Sequence, residues 1–144
     1  MKEKIRIKGS LDIVVYDEHN HIKDKHHYKN LVVAGGKSYL ASRAVSNSTV
    51  IMSHMAVGSS NVAPLESQTA LGTELGRVAL DSSLATSNTI AYVATFPAGV
   101  GTGTLREVGI FNSNSSGTMM NKAQINITKD VSDTIVITWN LDIL

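Results

Sequence analysis

The sequence predicts an all-β protein, an antiparallel β-sandwich of the kind that includes jelly rolls, with one or two short helices. Three observations carry this. Valine and isoleucine together make 26 of 144 residues and threonine another 12, side chains that are stiff in helices and fit pleated surfaces. Apolar residues alternate with polar ones in several segments, the period of a half-buried strand. Turn-forming clusters recur about every ten residues, which suits a stack of short strands rather than βαβ units.

The elements follow in order. Ile5, Ile7, Leu11, Ile13 and Val15 fall on odd positions and mark a first strand, with Gly9-Ser10 as a bulge or bend. Asp17 to Asn20 is a turn in which Asn20 can take positive φ, and His21 to Val33 returns antiparallel until Ala34-Gly35-Gly36. Lys37 to Val45 predicts a short helix. Val50 to Val57 reads as a strand closed by Gly58-Ser59-Ser60-Asn61. Ser67 to Leu75, with Leu71 and Leu75 four apart, predicts a second short helix stopped by Gly76. Arg77 to Ala85 and Asn88 to Phe96 pair around Thr86-Ser87-Asn88. Leu105 to Phe111 and Met119 to Ile127 flank a polar loop at 112–117. The chain closes on Thr134 to Ile143, where Ile135, Ile137, Trp139, Leu141 and Ile143 share one face. No repeat or linker divides the sequence, so residues 1–144 are expected to form one domain with 1–29 as an N-terminal arm or hairpin.

Composition narrows the function. Thirteen basic and 12 acidic residues leave a formal charge of +1, and charged residues are 17% of the total. That balance lacks the basic excess a phosphate backbone requires, so nucleic acid is not the expected partner. No apolar run approaches a membrane span, and no signal peptide is visible. With no cysteine, disulfide frameworks, thiolate metal sites and cysteine nucleophiles are excluded. Serine and threonine number 28 and asparagine 10, a neutral polar surface that tolerates burial in a wet interface without desolvating charge.

Three groups could carry chemistry. His19, His21, His26 and His27 crowd one hairpin with Asp17, Glu18 and Asp24, a set able to ligate a metal, although their place at a loop tip favours a solvated turn. His54 stands alone in an apolar strand and reads as a core or interface histidine. Gly99-Val100-Gly101-Thr102-Gly103 runs into a strand rather than a helix and lacks the dinucleotide pattern. Arg106 and Glu107 are adjacent in a strand and point to opposite faces, so they do not converge on one reacting group. There is no nucleophile elbow. No enzyme activity, cofactor or metal is expected.

An ordered set of segments carries a resemblance: Asn30 to Lys37, Met55-Ala56-Val57-Gly58-Ser59-Ser60, Thr69 to Arg77, Ala91 to Phe96, Leu105 to Asn112, and Ile135 to Trp139. Together they resemble a group of small structural proteins of tailed bacteriophages, and related patterns of the types T-A-L-x-x-E-x-x-R and E-x-G-I/L-F occur in tail-fibre domains. Ser59-Ser60 departs from a common G-T-G-type turn. The resemblance implies a virion component with no catalytic residues. The leading expectation is a capsid decoration or cement protein that bridges major capsid protein subunits or other virion subunits, as a homo-oligomer, a trimer by analogy. The alternative is a tail-fibre, baseplate or collar component involved in host attachment. Ile5, Arg6 and Ile7 are the candidate interface residues. Glu74 and Arg77 are expected to pair, Gly109 to allow a close approach, and Phe111 and Trp139 to lie in the core.

Overall fold

A computed structural model describes residues 3–144. Ten strands and one helix follow one another: β1 (Ile7–Tyr16), β2 (Ile22–Lys29), β3 (Leu31–Val32), α1 (Ala34–Val45), β4 (His54–Gly58), β5 (Glu74–Ala79), β6 (Ser82–Thr86), β7 (Thr89–Phe96), β8 (Gly103–Phe111), β9 (Met119–Lys129) and β10 (Thr134–Ile143). They form two five-stranded sheets. One has the order β2-β1-β10-β7-β6, the other β3-β9-β8-β4-β5, and all pairings are antiparallel.

The core lies between the sheets. Leu11, Ile13 and Val15 from β1, Ala94 and Phe96 from β7, and Ile135, Ile137, Trp139 and Leu141 from β10 meet Met55, Val57, Leu105, Val108, Ile110 and Ile125 from the other sheet. The odd-numbered alternation at both ends of the chain is therefore one feature seen twice. β1 and β10 pair along their whole length, with Leu11 opposite Trp139 and Ile13 opposite Ile137. The first turn has Asn20 at φ 62°, as its sequence predicts.

Two long strands expected from the sequence are each cut where the chain crosses between sheets. The return strand expected over His21 to Val33 breaks at Asn30, leaving β2 in one sheet and β3 in the other. Asn30 is fixed there: its N–H donates to the Gly9 carbonyl (3.1 Å) and its side-chain oxygen accepts the Trp139 indole N–H (3.1 Å). The absence of a side chain at Gly9 makes room for the Asn30 amide. Likewise Arg77 to Ala85 is two strands. β5 joins the second sheet, Leu80-Asp81 turns the corner, and only β6 pairs with β7. Hydrophobic alternation continues through such corners, so period alone does not reveal them.

The two helix predictions part ways. α1 forms and begins earlier than expected, at Ala34; in its first turn Gly36 packs against the β9 backbone at Met120, where any Cβ would collide. The helix expected over Ser67 to Leu75 does not form. Its backbone N–H groups at Gly72 and Thr73 are taken by the Glu107 carboxylate instead of a helical ladder. Leu71 is buried while Leu75 is exposed, so the two never share a stripe, and from Glu74 onward the chain is strand. The strand expected from Val50 is regular only from His54.

Candidate functional site

Three of the motif segments, Met55 to Ser60, Thr69 to Arg77 and Leu105 to Asn112, meet on the second sheet, while Ala91 to Phe96 and Ile135 to Trp139 are the paired strands β7 and β10 of the first. β4 and β8 lie side by side, with Ala56 opposite Gly109 and Gly58 opposite Glu107, and β5 flanks β4 with Arg77 opposite Ala56. Val33, Ala56, Leu71, Phe111 and Met119 form a second, smaller apolar cluster there. Gly109 leaves the space that Met119, Phe111 and the Asn121 carbonyl fill.

Glu107 is the centre of this face. Its side chain is 1% exposed. One carboxylate oxygen accepts the N–H groups of Ser60 (3.0 Å) and Thr73 (2.8 Å), and the other accepts that of Gly72 (2.7 Å). The Lys122 ammonium, also buried, lies 3.3 Å away. A charged carboxylate with three N–H donors and a cation replaces most of the hydration it lost on burial. Its work is to pin the segment 59–73, which lacks regular structure of its own, onto the sheet. At Ser59-Ser60 the backbone is held on both sides: Ser59 donates its N–H to the Thr73 carbonyl (2.9 Å) and Ser60 donates its own to Glu107.

Arg77 is a second clamp. Its guanidinium lies 3.9 Å from the Phe111 ring centroid and forks onto Glu74 (2.6 and 3.1 Å). It also donates to the carbonyls of Ser113 and Ser116 (2.9 Å each). The expected Glu74–Arg77 pair is present, but on a strand rather than at a helix end. Phe111 and Trp139 are both buried, in different clusters. Both clamps hold loops onto the sheet.

The remaining candidates disperse. Ile5 is 80% exposed. Arg6 is exposed at its side chain while its backbone exchanges two hydrogen bonds with Leu144. Ile7 packs half-buried against the main core. The hairpin histidines each meet a different carboxylate: His27 meets Asp12 (2.8 Å), His26 Asp24 (2.9 Å), His21 Asp17 (3.8 Å) and His19 Glu18 (3.5 Å). Among the described residues, no three such side chains are placed to hold a metal ion. The backbone N–H of His21 holds the Asp17 carboxyl below its ordinary range against desolvation, and the His19 N–H and the nearby imidazoles add lesser effects in the same downward direction. His54 is half-buried and bonds the Ser53 hydroxyl (2.8 Å).

Two lysines that the sequence did not single out tie the sheets' ends together. Lys23 on β2 bridges Asp130 (2.7 Å) and Asp133 (2.9 Å), and those bonds raise its ammonium above the ordinary lysine range. Burial pushes the Asp133 carboxyl up, but Lys23 and the Asp130 N–H outweigh it and the net shift is downward. Lys129 is fully buried and donates to the Pro97 carbonyl (3.0 Å); burial lowers its affinity for the proton. The glycine-rich loop is a structural cover. Gly99, Gly101 and Gly103 all have positive φ, and the loop lies on β5, where a Cβ at Gly76 would stand 2.8 Å from the Gly101 nitrogen.

One groove of about 330 Å³ opens between α1 and the β6–β7 hairpin, lined chiefly by Tyr39, Leu40, Ile51, Leu84, Ile90 and Tyr92. Burial, with Tyr39 nearby, pushes the Tyr92 hydroxyl up to about 12. Of the groove's lining side chains Ile51 and Leu84 are exposed, at 54% and 65%.

This arrangement defines a class: a β-sandwich in which the charged residues Glu107 and Arg77 are spent on its own scaffold. Residues 25–130 match the family described as phage tail-collar fibre protein, N-terminal, and the chain belongs to that family. It is thus a structural component of the phage virion, of tail-fibre type. No curated protein and no solved structure matches the chain. Among the described residues no helix is long and apolar enough to cross a membrane.

Proposed function

We propose that the chain is a non-catalytic module that builds a tail fibre into the phage tail, and so takes part in host attachment through other virion subunits. The observation that carries this is the family match over residues 25–130. It favours the tail alternative over the capsid-decoration reading that leads in the sequence. The scaffold supports the same view, since Glu107 and Arg77, the charged residues of the recurring motifs, are consumed internally. Attachment then proceeds by burial of neutral surface against partners that exist only in the assembled tail, and mass action shifts assembly toward the complex. Ile5 and Arg6, exposed beside the chain's other end, are the N-terminal residues placed to contribute.

Gold labelling or electron cryomicroscopy of virions tests the reading. Copies confined to the tail are expected. Copies distributed over the head shell would restore the decoration reading and overturn this one.

A further inference from the structure

Positive charge is not spread evenly over this molecule. Lys23, Lys37, Arg77 and Lys122 each meet a carboxylate, and Lys129 is buried. Among the described residues, Arg6, Lys8, Lys25 and Lys29 meet none, and all four are exposed. Register gathers them on the outer face of the first sheet. Val14 faces outward, since Ile13 and Val15 lie in the core, and Lys25 is opposite it, with Lys29 opposite Ser10. Lys8 and Arg6 follow on the same face by alternation, Arg6 exchanging both backbone bonds with Leu144. The two carboxylates of β1 and β10 on that face are engaged: Asp12 by His27 (2.8 Å) and Asp142 by the Thr89 hydroxyl (2.8 Å).

At the same place β1 outruns its neighbour. The β1–β2 ladder ends with Ser10 opposite Lys29, and the Asn30 N–H bond to the Gly9 carbonyl is the last across the gap before the chain leaves for the other sheet. Arg6 directs its backbone groups to Leu144, so by the alternation of an antiparallel ladder those of Ile7 face the side that β2 has left. A pocket of about 330 Å³ fills this step, with Lys8, Ser10, Lys29 and Asn30 around it.

We propose that this step docks an extended acidic segment of another virion subunit, with a carboxylate entering between Lys8 and Lys29 while the segment's main chain pairs with Ile7. The inference rests on the virion-component reading above and names the chemistry of one contact within it. Charge selects this occupant. A neutral strand finds the same backbone groups but leaves the lysines without a counter-charge, and a basic one is repelled. A free anion fills the pocket but makes no use of the Ile7 backbone. An acidic segment uses both, in the way strand addition takes affinity from the main chain and specificity from side-chain pockets. The contact gives the neutral surface of the module a charged anchor that steers its encounter with the partner.

Amide NMR titration of the whole chain tests this with four probes: a capped Asp-Val-Asp-Val-Asp peptide, its Asn-Val-Asn-Val-Asn counterpart, inorganic phosphate and single-stranded DNA. The acidic peptide should shift the amides of Ile7 to Ser10 and of Lys29 saturably, with an affinity that falls as salt is raised. Lys8→Gln combined with Lys29→Gln should weaken it about tenfold at an unchanged melting temperature, because both side chains are exposed. Arg43→Gln, outside the patch, should not. Equal binding of the neutral peptide would mean that charge does not select. Equal binding of phosphate, or tighter binding of DNA, would make the step a general anion site. Each of these overturns the proposal, as does an acidic peptide that shifts nothing. In virions the double variant should be depleted from tails. Full occupancy there also overturns the proposal and leaves the tail location, which labelling reads by itself, standing.

Discussion

The two sheets differ most on their outer faces. On β4, β8 and β9 the outer face is roofed by the 59–73 segment and by the 112–117 loop, and it hides an ion pair, an arginine clamp and a small apolar cluster. On β1, β10 and β7 the outer face is bare: Val14, Val136, Thr138, Val93 and Thr95 are all half-buried, shielded only by their neighbours in the sheet. Glu74, Arg77, Glu107 and Phe111 of the recurring motifs lie on the roofed face, where they attach loops to the sheet, whereas the bare face carries small neutral side chains.

The comparison breaks most readily at Glu107. Glu107→Gln keeps the shape but leaves the Lys122 ammonium buried without a counter-charge and turns an amide N–H toward backbone donors. Breaking a buried pair from one side costs about 3–5 kcal/mol. Urea unfolding should show a loss of that size, and adding Lys122→Met should recover part of it. A loss comparable to that of an exposed substitution would mean that the roof is not held by this carboxylate.

Arg77→Ala should rank second, at about 2 kcal/mol, from lost charged hydrogen bonds and the contact over Phe111. Arg77→Lys should restore little, because an ammonium cannot fork onto Glu74 and two carbonyls at once. Amide hydrogen exchange should report faster exchange at Thr118, whose N–H is held by Asn112 (2.8 Å) at the far end of the loop. Unchanged exchange there would place the loop's order elsewhere.

Much of the fold was legible because burial on one face leaves a period. The alternation of Ile135, Ile137, Trp139 and Leu141 predicted β10 and its inward face, and polar clusters located most turns. The misses share a physical cause. Leu71 and Leu75 suggested a helix because spacing registers apolar positions and not where backbone N–H groups go, and here a carboxylate 34 residues away takes the N–H of Thr73. Asn30 and Leu80-Asp81 are corners where a strand changes sheets without losing its pattern. Of the candidate site, the Glu74–Arg77 pair and the role of Gly109 were readable from local spacing. For Glu107 an ion pair or interface contact was readable, but not that Lys122 is its partner, because the two belong to different strands. The edge at β6 looked like the middle of a longer strand, and its exposure became visible only with the topology.

The clamp of Lys23 on Asp130 and Asp133 gives a smaller effect, with a definite sign. Asp133 has a native pKa below its ordinary 3.8, so its contribution is present above that value and is lost as pH falls through the native one. Lys23, raised above 10.5, contributes fully below 10.5 and loses its contribution only as pH rises through its higher native value. Melting temperature should therefore fall on acidification below about pH 4, and Lys23→Met should make that fall shallower. An identical acid limb in the variant would show that the clamp is screened away by solvent.

The smallest effect is the one that separates the two faces with a single chemical change. Valine to threonine keeps the shape and exchanges a methyl for a hydroxyl, which costs about 1–3 kcal/mol where the hydroxyl is buried without a partner and within about 0.5 kcal/mol at open surface. Val33 is fully buried in the roofed cluster, whereas Val136 lies on the bare face between Val14 and Thr95. Val33→Thr should lower unfolding free energy clearly and Val136→Thr hardly at all in the isolated chain. If Val136→Thr cost as much as Val33→Thr, the bare face would already be covered in solution by another copy.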